Sequence, residues 1–130
     1  MSKEEILKEK ERIDHLLYIV LKPGKNRLEF NHEKLKDVLM NIIDRIYNII
    51  VMILKDYKLD ENTVSSLENM QHRLSAARNE KMKAHYDKSR PNREQGLISE
   101  SGKISIKISD LEEFYKTICD IDLDVDERKK

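Results

Sequence analysis

Between Asn31 and Tyr57 the chain places Leu35, Val38, Leu39, Ile42, Ile43, Ile46, Ile49, Ile50, Ile53 and Leu54 at steps that recur by threes and fours, with no glycine or proline among them. Such steps hold side chains on one side of an α-helix. The stripe is wide. It predicts a central helix buried on more than one side, capped by Asn31 and running to about Tyr57, with Tyr47 and Tyr57 at its margins. A helix of this kind draws most of its stability from what covers it, so it obliges the rest of the chain to supply cover. With only three Gly and two Pro in 130 residues, that cover is expected to be helical, since a sandwich or barrel needs more turn residues.

Three further helices fit the pattern. Residues 2–21 carry Ile6, Ile13, Leu16, Leu17 and Val20 at helical spacing, with Ser2 and Glu5 placed as a capping box and Lys22-Pro23-Gly24 as the stop. Asp60 is placed to cap a third helix, whose stripe of Val64, Leu67, Met70, Leu74, Ala77 and Ala84 carries it to about Tyr86 or Lys88. Residues 89–102 read as a loop holding Pro91, Gly96 and Gly102. Lys103-Ile104-Ser105-Ile106-Lys107-Ile108 alternates polar and apolar, the mark of a short extended segment or edge strand. Ser109 then caps a last helix, with Asp110, Glu112 and Glu113 in its first turn and Leu111, Phe114, Tyr115 and Ile118 facing inward. The expected fold is all-α: a four- to five-helix up-and-down bundle, with a loop and a short extended segment before the last helix. It forms one domain over residues 1–120, and residues 121–130 make an acidic, then basic, tail.

Several function classes fall away. The densest apolar run, Ile49 to Leu54, is six residues long, against the roughly 20 of a membrane span. The N-terminus is charged and amphipathic, unlike a secretory signal. The single Cys119 cannot close an intramolecular disulfide, which fits a reducing cytoplasm, and it reads as a small packing residue. Lys22-Pro23-Gly24-Lys25-Asn26 lacks the glycines and the Ser/Thr of a phosphate loop. Asp120-Ile121-Asp122-Leu123-Asp124 begins like a calcium loop, but Val125 stands where a glycine is needed. His15, His32 and His72 read as surface or boundary residues, and no set of metal ligands or cofactor motif is visible.

The formal net charge of zero hides an asymmetry. Between Gln71 and Arg93 stand Arg73, Arg78, Lys81, Lys83, Lys88, Arg90 and Arg93, against Glu80 and Asp87. A basic stretch suits a polyanion, although a solvated helix face reads the same way. Within it, Arg78 and His85 are seven residues apart. On a helix that is two turns, so both side chains would leave one face beside the core stripe. A permanent cation beside a group that titrates near neutrality suits cleavage of a phosphodiester. The bland alternatives are an Arg78 paired with a surface carboxylate and a His85 that meets the last carbonyls of its helix.

Arg78-Asn79, a gap of six residues, His85 and then Tyr86 form a pattern that resembles the signature of the HEPN superfamily, helical domains of prokaryotic toxins, abortive-infection proteins and CRISPR ribonucleases. The Ala84-His85-Tyr86-Asp87 run and the Ser109-Asp110-Leu111-Glu112-Glu113 helix start are similar to the abortive-infection branch. The resemblance implies a homodimer that brings two Arg/His sets into one cleft. It implies metal-independent cleavage of RNA through attack by the ribose 2′-hydroxyl. His85 would move the proton, Arg78 would hold the phosphate, and Asn79 would orient the histidine or touch the phosphate. Lys81, Lys83, Tyr86, Lys88 and Arg90 would contact the RNA. An antitoxin or another defence-system protein is the further partner implied. The alternative expectation is a non-catalytic helical module that binds protein or RNA in such a system.

Overall fold

A computed structural model describes residues 2–21, 32–85, 89 and 91–123. Four helices dominate: α1 (Lys3–Leu21), α2 (His32–Asp56), α3 (Glu61–Asn79) and α4 (Ile108–Cys119). Between α3 and α4 lie three strands, β1 (Met82–His85), β2 (Gly96–Ser99) and β3 (Ser105–Lys107), with a single 3-10 turn at Asn92–Glu94 before β2.

The stripe on α2 is the centre of the core. Ile42, Ile43, Ile46, Ile49, Ile50 and Ile53 are each 0% exposed. Cover comes from Ile6, Ile13, Leu17 and Val20 of α1, from Leu67, Met70, Leu74 and Ala77 of α3, and from Leu111, Phe114 and Ile118 of α4. The sheet adds Met82, Leu97 and Ile106. At about 1.5–3 kcal/mol for each fully buried Ile or Leu, this cluster is the main favourable contribution to folding. Tyr57, expected at the margin, is buried.

Local signals act where the sequence places them. The Ser2 hydroxyl accepts the Glu5 N–H at 3.2 Å, and the Glu5 carboxylate accepts the Ser2 N–H at 3.4 Å. The Asp60 carboxylate accepts the Thr63 N–H at 2.8 Å, and this bond to the charged form holds the Asp60 carboxyl below its ordinary range. The Asn31 cap falls outside the described residues. Ser109 is not a cap: α4 starts one residue earlier, Lys107 takes the N-cap position, and the Asp110 carboxylate accepts the Lys107 N–H at 2.8 Å. Cys119 is exposed, not packed.

The expectation that fails is the length of the third helix. α3 ends at Asn79, Glu80 is extended (φ −107°, ψ 155°), and Met82–His85 forms a strand. The sequence 82–85 alternates buried Met82 with exposed Lys83 and half-buried Ala84 with exposed His85, which is a period of two. Pairing with a partner distant in sequence overrides the local helical preference. That partner lies inside the supposed loop. β1 and β2 are antiparallel with Met82 opposite Ser99 and His85 opposite Gly96; β2 and β3 are antiparallel with Gly96 opposite Lys107 and Ile98 opposite Ser105. The strand order is β1-β2-β3, so β3 is an edge strand, as its alternation suggests. The architecture is therefore a mostly helical fold with a small antiparallel sheet, and not a simple up-and-down bundle.

Two glycines make the sheet possible. A Cβ on Gly96 would lie 2.2 Å from the Ile106 carbonyl oxygen, so β2 and β3 approach at the full closeness only glycine allows. Gly102 takes φ +75° in the turn between them. Gly96→Ala is expected to cost about 2–3 kcal/mol, an overpacking against backbone that cannot move aside, measured as a lower urea midpoint.

α1 and α2 are also joined by charge. Glu9 receives Arg45 at 2.7 Å and Arg12 at 2.7 Å. Burial pushes its carboxyl up, but the two guanidiniums outweigh it and hold the group below the usual carboxylate range. A depressed folded-state value means the stabilisation is fully present above the ordinary Glu range and is lost as pH falls through the depressed value. Glu9→Gln should thus lower stability at pH 7 by about 1 kcal/mol and narrow the gap between pH 7 and pH 3. Urea unfolding at the two pH values reads this directly; an unchanged gap contradicts the assignment.

Candidate functional site

Arg78 lies in the last turn of α3 and reaches α2. Its Nε donates to the Asp44 carboxylate at 2.8 Å, and its guanidinium lies over the Tyr47 ring, 4.2 Å from the centroid. Asp44 and Tyr47 are one turn apart on α2, so they form a seat that fixes the arginine on both its edge and its face. Of the readings of Arg78, pairing with a surface carboxylate is therefore seen, and the carboxylate is Asp44. The Nε contact leaves the terminal Nη groups for another acceptor, since a guanidinium carries five N–H donors.

His85 is elsewhere. It closes β1, exposed, opposite Gly96. The strand alone carries it about 10 Å along from Met82, at ~3.3 Å per residue. Arg78 and His85 thus do not share a helix face, because the helix that was to hold both stops between them. Asn79 is exposed at the last helical position. Lys81 pairs with Glu100 at 3.7 Å across the start of the hairpin. Tyr86, Lys88 and Arg90 fall outside the described residues.

What the sheet does bring together is a set of residues distant in sequence. Met82, Ala84, Leu97 and Ile106 face the core, so the intervening residues face outward. Across the outer face, His85 stands in register with Gly96 and then Lys107, while Lys83 stands in register with Ile98 and then Ser105. Strand spacing puts the Cα atoms of His85 and Lys107 about 10 Å apart, with side-chain-free Gly96 between them. Lys83, His85, Ser105 and Lys107 are all exposed. Among the described residues no carboxylate pairs with Lys83, His85 or Lys107. The sequence reading named Lys83 and His85 and missed Lys107. The signal for Lys107 was present: the alternation over 103–108 puts its polar residues on the face opposite the isoleucines.

The other described arginines of the basic stretch are also matched. Arg73 pairs with Asp110 at 3.3 Å and lies over Phe114 at 5.2 Å; Arg93 meets both Glu112 oxygens, at 2.8 and 3.5 Å. Among the described residues of the stretch, Lys83, on the outer face of the sheet, is the cation left without a salt bridge. A larger cavity of about 420 Å³ lies at the start of α3 and the end of α4, but Asp60, Asp120 and Asp122 line it, a setting that repels a polyanion. Among the described residues no group of three potential ligands could hold a metal ion, and no helix is long and apolar enough to cross a membrane.

No family model matches the chain, and no curated protein or solved structure shows significant similarity to it.

Arg78 acts on the fold as well as on any ligand. Arg78→Ala is expected to lower stability by about 1 kcal/mol, the sum of a half-exposed ion pair and a cation–π contact. Arg78→Lys should lose part of this, because an ammonium cannot bond edge-on to Asp44 while lying flat over Tyr47. Urea denaturation of the two variants, beside Tyr47→Leu, measures both.

Proposed function

We propose that this protein is an RNA-binding module of a prokaryotic defence or toxin system, of the HEPN kind, and that it contacts RNA through the outer face of its sheet. The observation that carries the reading is the exposed set of Lys83, His85 and Lys107, whose side chains make no salt bridge among the described residues. Two lysines supply the phosphate contacts, and half-buried Ile98, between Lys83 and Ser105 in their row, offers an apolar surface to a sugar or base. Arg78 is seated on Asp44 and Tyr47 and stands apart from His85, which favours binding over cleavage within one chain.

The second reading is a metal-independent endoribonuclease. It is favoured by His85, which is exposed and makes no salt bridge among the described residues, as a group that shuttles protons must be accessible. Because Arg78 and His85 sit on different elements, a cleaving site would be composite. His85 of one protomer would meet the free Nη groups of Arg78 from its partner across a homodimer. Asn79 at the helix end would orient them. The 2′-oxygen would attack the adjacent phosphorus as His85 takes its proton, and Arg78 would stabilise the charge on the phosphorane. The P–O5′ bond would then break, with the leaving 5′-oxygen taking a proton from the imidazolium. An antitoxin or other defence protein is the further partner this reading brings.

Two measurements separate the readings. Lys83→Ala with Lys107→Ala should weaken binding of single-stranded RNA about tenfold and reduce the slope of log affinity against log salt by about 1.4, two contacts at ~0.7 each. An unchanged slope removes the sheet face from the interface. For cleavage, His85→Ala should lower turnover at least about a hundredfold with the fold intact. Products should carry 2′,3′-cyclic phosphate and 5′-hydroxyl ends, and activity should survive EDTA. Wild-type protein that binds RNA and never cuts it establishes the first reading.

A further inference from the structure

The outer face of the sheet does not end at Lys107. Beyond β3 lies a cleft of about 200 Å³ between that strand and α3, with His72 and Arg73 on one wall and Lys103 and Ser105 on the other. None of the residues lining it is acidic, in contrast to the aspartate-rich cavity beside α4. Residues 72 and 103 are far apart in the chain, so the cluster exists only because the hairpin lays its edge beside the helix.

The edge supplies a donor of its own. Ser99 N–H donates to the Ile104 carbonyl at 2.8 Å and Ile108 N–H to the Gln95 carbonyl at 2.8 Å. These fix Ile104, Ile106 and Ile108 as the residues that bond to β2. By the alternation of an antiparallel ladder, the N–H of Ser105 lies on the opposite edge, towards the cleft. The Lys107 N–H on that edge is already taken by Asp110. Among the described residues, the Ser105 N–H is engaged by no hydrogen bond, and the Ser105 hydroxyl stands beside it. Arg73 is held in place: its Nη2 lies 3.3 Å from Asp110 and its guanidinium 5.2 Å from the Phe114 centroid. Its remaining N–H groups are thus presented by a fixed fork, at little cost in side-chain entropy.

We infer that this cleft binds a phosphate group, held by His72, Arg73 and Lys103 together with the Ser105 N–H and hydroxyl. Backbone and side-chain donors that converge on a cleft with no acidic residue in its lining are the pattern of an oxyanion site, and the one carboxylate beside it, Asp110, holds Arg73 from outside that lining. The volume equals roughly seven waters at ~30 Å³ each, room for a phosphate and part of the sugar that bears it. Ala76 and Ile106 give that sugar an apolar wall. The source of the phosphate, resting on the reading of the sheet as an RNA surface, is the backbone of an RNA strand. Ser105 belongs both to the cleft and to the row of Lys83 and Ile98, so a strand lying on the sheet can place its next phosphate here.

The test is a titration of the whole chain, followed through the backbone amide resonances of Ser105 and Ala76. The probes are inorganic phosphate, sodium chloride at equal ionic strength, and an oligouridylate with no terminal phosphate. Saturable shifts at both amides with phosphate and with oligouridylate, and not with chloride, are expected. His72→Ala with Lys103→Ala should weaken both about tenfold; should that variant not fold, the wild-type titration decides alone. Shifts with phosphate but not with oligouridylate support the cleft and remove RNA as its source, which counts against the RNA reading and not against the site. Shifts at Lys83 and His85 with oligouridylate, while Ser105 stays silent to both probes, overturn the site and leave the RNA reading standing. A response to chloride equal to that with phosphate overturns it as well.

Discussion

Everything in this protein is arranged around the burial of one face of α2. Six isoleucines between Ile42 and Ile53 are wholly out of water, and no single neighbour could achieve that. α1 and α3 cover the flanks, α4 another side, and the sheet closes the remainder through Met82, Leu97 and Ile106. Because apolar burial is non-directional, the stripe would accept a helix or a strand as its last cover. The chain provides a strand, and the separation of His85 and Lys83 from Arg78 follows from that choice.

The consequence is largest for the Arg/His pair. Had α3 continued to residue 86, Arg78 and His85 would have formed a ready pair on one helix. Instead the break at Glu80 divides their work. Arg78 closes α3 against Asp44 and Tyr47, and His85 joins an open, cation-bearing face with Lys83 and Lys107. A guanidinium with one edge committed to a carboxylate and one face to an aromatic ring is rigid and preorganised, which suits binding a phosphate in a defined orientation. It does not by itself deliver a proton donor beside that phosphate.

The charge pattern changes meaning in the same way. A run of basic residues along a helix would have been a broad positive surface. Folded, Arg73, Arg78, Lys81 and Arg93 each meet an acidic partner, so the run contributes less field than its count suggests. On the outer face of the sheet, the described cations without a salt bridge are Lys83, from within the run, and Lys107, from outside it. Pairing across the sheet concentrates charge that the linear sequence disperses, and it aligns Gly96, required for close approach of β2 and β3, between His85 and Lys107.

The sequence by itself determined the helices and most of the core. The stripe of α2, the capping box at Ser2 and Glu5, the Asp60 cap and the inward faces of α1 and α4 were all legible, because periodicity and capping depend on neighbours within one or two turns. The alternation at 103–108 announced an edge strand for the same reason. Tertiary structure decided the rest. Residues 82–85 are too few to separate a strand from the end of a helix by pattern, and their partner at 96–99 hides in a stretch whose Pro and Gly signal a loop. Only a hydrogen-bond ladder between segments distant in the chain could settle it, since a lone strand gains nothing from being extended. That ladder parted Arg78 from His85, put Lys107 on the histidine's face of the sheet across Gly96 and opened the cleft at His72. These are contacts between distant residues, and no local spacing encodes them.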